Sequence, residues 1–186
     1  MNRYHMLVAL LLVLIVPLPA EAVLVRLDVS DTEISVGENF TVSVLVDGEG
    51  IGEELLGFGF DVAAPGAVAA YLGHTVSALF DDFSDPIDPN NVTGLAFPGV
   101  ADDEVLLAAL SFSAIAAGTD TLSVLGLFDG LFFGLFYDTS GIDINASADI
   151  TVRAAAVPEP GSVFLLSTGL FALLVLKRRE RVLSLR

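Results

Sequence analysis

The chain has 186 residues, a formal net charge of −16, and neither cysteine nor tryptophan. Disulfides and thiolate metal sites are therefore excluded, and so acidic a surface repels nucleic acid and anionic lipid. It suits a soluble exterior, divalent cations or polar sugars.

At the N-terminus, Arg3 and His5 precede an apolar stretch over residues 6–16 that Pro17 and Pro19 break. Ala20-Glu21-Ala22 comes next, with small residues at both positions a signal peptidase reads. The arrangement predicts a secretory signal peptide over 1–22, cleaved after Ala22, and too short for a stable span. An exported domain over 23–156 remains. Its only basic residues are Arg26 and Arg153, and most of the acids fall in the same interval. That length can bury a core without staples.

The apolar residues of this domain alternate. Val23, Val25, Leu27 and Val29 share one face, with Arg26, Asp28 and Ser30 opposite. Phe40, Val42, Val44 and Val46 repeat the pattern, as do Leu56, Phe58, Phe60 and Val62 against Gly57, Gly59 and Asp61. Further strands are predicted over 105–114 and 121–128. A long alternating run from Ile142 to Val152 closes the domain. Period-2 patterns mark strands with one buried and one wet face. Turn residues at 36–39, 47–50 and 117–120 separate them. No long amphipathic helix interrupts, and the expected architecture is an all-β, antiparallel sandwich.

Two segments break the rhythm. Residues 81–99 read as a long loop carrying Pro86, Pro89 and Pro98 among acids. Residues 125–137 hold three apolar pairs or triplets spaced by Gly130 and Gly134, and read as two short buried strands around a turn. A hydrophobic docking edge is the alternative there.

Chemistry is sparse. His74 is the only histidine of the exported domain, no Gly-x-Ser-x-Gly elbow occurs, and no second histidine exists for zinc. Asp81, Asp82, Asp85 and Asp88 crowd one loop, and clustered oxygen ligands on a loop are what calcium takes. The spacing does not match an EF-hand. No catalytic constellation is visible, so the domain reads as non-catalytic; a small secreted hydrolase acting on polysaccharide is the competing class.

The C-terminus is the most specific segment. Pro158-Glu159-Pro160 insulates the downstream residues from the preceding fold, because proline cannot sit in a helix interior. Residues from about 161 to 176 are uncharged and apolar, and Lys177, Arg178, Arg179 and Arg181 stop them in a basic tail over 177–186. That predicts a short membrane helix with a cytoplasmic basic end.

The order of motif, helix and basic stop over 157–186 resembles the PEP-CTERM sorting signal of exported bacterial proteins. The resemblance implies an inner-membrane intermediate, processing by an exosortase, and a cell-surface or extracellular destination. A second resemblance lies in the exported domain. Val36-Gly37-Glu38-Asn39-Phe40-Thr41-Val42, Leu56-Gly57-Phe58-Gly59-Phe60-Asp61, Leu107-Ala108-Ala109-Leu110-Ser111-Phe112 and the Ala117-Gly118-Thr119 turn are similar to cohesin-type domains. It implies a jelly-roll β-sandwich related to carbohydrate-binding modules, with a polysaccharide or a surface protein as partner. Where that family has an Asp-Pro turn, this chain has Ala63-Ala64-Pro65-Gly66.

Overall fold

The alternation read in the sequence becomes two stacked sheets in the computed structural model, which describes residues 23–31, 33–48, 52–63, 66–102, 104–155 and 165–171. The signal-peptide residues, Ala20 and Ala22 included, lie outside the described residues. So do Pro158, Glu159, Pro160, Lys177, Arg178, Arg179 and Arg181. The chain divides into two compact units, one ending at Ala154 and one beginning at Ala155. In the second, residues 165–171 are helical. No helix among the described residues is long and apolar enough to cross a membrane.

The described residues of the first unit fold as β-structure without a helix. One sheet has four strands in the order β1 (Leu24–Val29), β3 (Asn39–Asp47), β8 (Glu104–Ala114), β5 (Ala69–Val76). The other runs β11 (Gly141–Ile142), β10 (Gly134–Tyr137), β4 (Leu55–Ala63), β9 (Gly118–Gly126), β12 (Ile144–Arg153), β2 (Ile34–Ser35). On the far edge of β4 this second sheet continues through β7 (Asn91–Val100) to β6 (Asp81–Asp82). Every pairing is antiparallel except β2 with β12. The result is a jelly-roll-type β-sandwich.

The inward faces interdigitate as the pattern required. Phe40, Val42, Val44 and Val46 of β3 are buried, as are Phe58, Phe60 and Val62 of β4. On β12, Ile144, Ala146, Ile150 and Val152 point in while Asn145, Ser147, Asp149 and Thr151 point out. Phe112 stacks on Phe40 at 5.4 Å, and Phe58 meets the edge of Phe80 at 5.0 Å.

Three expectations are corrected, and one strand, β5, is not foreseen. Leu55, not Leu56, is the buried residue at the start of β4. The register slips between Leu55 and Gly57, and a bulge moves the alternation by one residue. The 81–99 loop contains β7, a strand of ten residues. Its prolines hid it, yet Pro98 is tolerated because β7 runs near the sheet edge, where no donor is needed. β5 carries no alternation that marks it in the sequence. Its pairing with β8 slips between Tyr71 and Gly73, so period 2 is broken there as well. Finally, the 125–137 segment is not buried throughout. β9 ends at Gly126, and Leu127, Leu131 and Phe132 stand in solvent, with Leu131 74% exposed. Only from Gly134 does the chain re-enter the sheet, where Leu135 and Tyr137 are buried.

Candidate functional site

A loop of exposed apolar residues needs something to hold it, and residues 127–133 are held by two carboxylates. Asp129 accepts the N–H groups of Leu131, Phe132 and Phe133 on one oxygen, at 2.8, 2.8 and 3.1 Å. Asp143 accepts the N–H of Phe128 at 2.7 Å. The loop lies against the outer face of β4 because that face is glycine. A Cβ on Gly59 would stand 1.7 Å from the carbonyl oxygen of Phe132. Glycine alone lets two backbones approach so closely.

The amides of Phe132, Leu131 and Phe133, in that order, hold the Asp129 carboxyl below its ordinary value of 3.8. A carboxyl depressed on folding stabilises the loop at every pH above the ordinary value. That contribution is lost as pH falls through the lower folded value. Hydrogen-exchange protection of the Leu131, Phe132 and Phe133 amides should therefore collapse on acidification below about pH 4, ahead of the β-sheet core. Protection that fades in step with the core would contradict a separately clamped loop.

Beside the loop, the register of β4 with β7 builds a floor. Thr93 lies opposite Gly59 and Asn91 opposite Asp61, so these side chains share the outer face. Asn91 Nδ2 donates to Asp61 Oδ1 at 3.5 Å, and Thr93 Oγ1 donates to Asn91 Oδ1 at 3.2 Å. Phe132 and Phe133 wall one side of this floor, and Phe83, Asp85 and Asp88 the other. The cleft they enclose has a volume of about 420 Å³. Phe83 and Phe132 are 60% and 63% exposed, so each shows a ring to solvent.

The aspartates read as calcium ligands shape this wall. Asp82 Oδ1 accepts the N–H of Ser84, Asp85 Oδ1 that of Ile87, and Asp88 Oδ1 that of Asn90. Each is a side chain folding its own turn two residues on. Asp81 pairs with Leu95 as part of β6. Among the described residues, no three carboxylates or imidazoles converge where a metal ion could sit. Burial pushes the Asp82 carboxyl up, but the bonds from Ser84 and the nearby His74 outweigh it and leave the group below its ordinary value.

His74 is on strand β5. Its Nδ1 shares a hydrogen bond with the Tyr71 hydroxyl at 3.0 Å, and its Nε2 one with Ser84 Oγ at 2.9 Å. Burial pushes the Tyr71 phenol up to about 12, so it stays protonated. Thr93 N–H also donates to Ser84 Oγ at 3.1 Å. The relay ties the edge of the four-stranded sheet to the β6–β7 connection of the other. Ser84 does not line the cleft.

In the sequence, Phe132 and Phe133 fall within the segment whose alternative reading is a hydrophobic docking edge, whereas Phe83 and the Asp61, Asn91 and Thr93 floor carry no mark of a site. One signal was present: glycines at 57 and 59 on one face of a strand mark where another backbone crosses.

Comparison with known proteins places both parts of the chain. Residues 156–179 match the PEP-CTERM protein-sorting motif, the signal of exported surface proteins. No curated protein matches the chain in sequence. Among solved structures, the chain is similar to the cohesin module of a Clostridium perfringens family 33 glycoside hydrolase, with TM-score 0.54 and 10% identity. That match covers 72% of this chain and 100% of the module. A non-cellulosomal cohesin from Archaeoglobus fulgidus gives TM-score 0.48 and 13% identity over 76% of this chain and 96% of that one. A type II cohesin domain from the Acetivibrio cellulolyticus cellulosome gives 0.48 and 14% over 69% and 95%. The first of these establishes a cohesin-like fold, and identity this low carries nothing further.

Proposed function

We propose that this chain is a surface protein that an exosortase sorts through the 157–186 segment, and that its sandwich is a non-catalytic module holding a polysaccharide or a protein partner. The observation that carries the reading is the sorting-motif match at 156–179 directly after a cohesin-like sandwich. In this reading residues 1–22 direct export and are removed after Ala22. Residues of about 161–176 then hold an inner-membrane intermediate, with Lys177, Arg178, Arg179 and Arg181 on the cytoplasmic side. The open cleft beside the clamped 127–133 loop supports a binding role, because ligand sites are concave, apolar-walled and furnished with a few fixed polar groups.

The Tyr71–His74–Ser84 relay does not favour the hydrolase reading. Ser84 Oγ is occupied by the Thr93 amide and stands off the cleft. We read it as a tie between sheet edges.

Replacing Pro158 and Glu159 tests the sorting reading. The variant should fold and accumulate in the inner membrane, with the surface fraction lost. An unchanged distribution would reduce the 157–186 segment to an ordinary anchor.

A further inference from the structure

We propose that the cleft between Phe83 and Phe132 binds an oligomer of protonated amino sugars; this rests on the reading of the sandwich as a surface binding module. The cleft's charged groups are all acidic: Asp61, Asp85 and Asp88. One oxygen of each already accepts a hydrogen bond, from Asn91 Nδ2, the Ile87 amide and the Asn90 amide respectively. These bonds fix the carboxylates and leave the second oxygen of each for a ligand. Asn91 is itself committed, donating to Asp61 and accepting from Thr93 and from the Asp85 amide. The floor is therefore acceptor-rich, and its occupant must bring donors.

The walls add a second requirement. Phe83 and Phe132 present exposed aromatic rings on opposite sides. A ring face is electronegative and attracts a cation, and it also covers an apolar surface. A bare metal ion would leave the apolar ring surface uncovered, and among the described residues no cluster of three ligands awaits one. The chain's charge of −16 draws cations in and turns polyanions away. Donor-rich, cationic and apolar on one face describes a hexosamine: hydroxyl and ammonium groups at its rim, C–H groups on its flat side.

Size separates this from a partner's side chain. A volume of about 420 Å³ falls in the range of small-ligand sites, roughly 300–1,000 Å³, and far exceeds one lysine or arginine side chain. More than one sugar ring can enter.

The test is calorimetric titration of the full chain, in detergent, with a glucosamine tetramer. The N-acetylated tetramer and a lysine-rich peptide serve as comparators. The glucosamine tetramer should bind most tightly, and its affinity should fall as salt rises. Phe132→Ala and Phe83→Ala should each weaken it about tenfold. Asp85→Asn with Asp88→Asn keeps an oxygen for the Ile87 and Asn90 amides while removing both charges, and should weaken binding by a similar factor at unchanged melting temperature. Equal binding of the acetylated tetramer would overturn the role of charge. Tighter binding of the peptide, lost in the same variants, would overturn the sugar and leave the cleft as a protein-docking site. No binding of any probe, or binding indifferent to Phe132 and Phe83, would overturn the site itself, while the sorting of the protein stands or falls separately.

Discussion

Phe58→Ala should destabilise the sandwich by about 3–5 kcal/mol, the range for a large aromatic deleted from a packed core. Phe58 is fully buried, meets Phe80 edge-on at 5.0 Å and stacks on Phe60 at 5.7 Å. Its ring fills the space between β4 and the Phe80 turn, and both aromatic pairs are lost with it. The surrounding strands cannot collapse into it without dragging β7, which pairs with Phe58 through Gly94. Adding a Cβ at Gly94 would bring it 2.5 Å from the Phe58 ring, which shows how closely the two strands are fitted. Domains of this size hold only about 5–15 kcal/mol in all, so the melting temperature should drop by roughly 10–20 °C. A drop of only a few degrees would mean that Phe58 is not at the centre of the core.

The second large effect is expected at Gly59→Ala. The added Cβ would stand 1.7 Å from the Phe132 carbonyl oxygen and 2.8 Å from its carbonyl carbon. The obstruction is backbone, not the end of a flexible side chain, so the 127–133 loop must lift or β4 must bend. Overpacking of this kind costs about 1–3 kcal/mol, and this contact belongs at the upper end. Lifting the loop also disturbs the Asp129 clamp, which shapes the exposed Leu131 and Phe132. Two signatures should appear together: a melting temperature lower by roughly 5–10 °C and lost protection of the 131–133 amides. A variant that melts like the parent with its loop amides protected would show that the loop does not cross β4.

Gly59 also shows why the fold was more legible than the site. Alternation fixed β1, β3, the body of β4 and β12, because a half-buried strand writes its two faces directly into the sequence. It failed wherever a bulge shifted the period, as at Leu55–Gly57, or where Pro98 and Gly94 interrupted it, as in β7. The cleft was hidden for a different reason. Its walls come from the 83–90 and 127–133 segments, which are distant in sequence and meet only because β4 pairs with both β7 and β10. Local pattern gave Phe132 an inward assignment; hydrogen bonds to Asp129 and the bare face of Gly59 turn it outward. The aspartates of the 81–90 segment stand out as a cluster. Their spacing from the residues two positions on, Ser84, Ile87 and Asn90, marks turn-forming side chains as well as it does ligands.

The 157–186 segment stood apart from these difficulties because its signal is linear. Motif, apolar run and basic stop are read in order, with no tertiary fold to assemble them. The claim that the sandwich is cargo for a sorting pathway is therefore the one most directly open to measurement. The intact mass of the protein recovered from the cell surface decides it. A processed chain should begin at Val23 and lack the apolar segment and basic tail downstream of Pro158-Glu159-Pro160. A surface form carrying both Met1 and Arg186 would contradict the account.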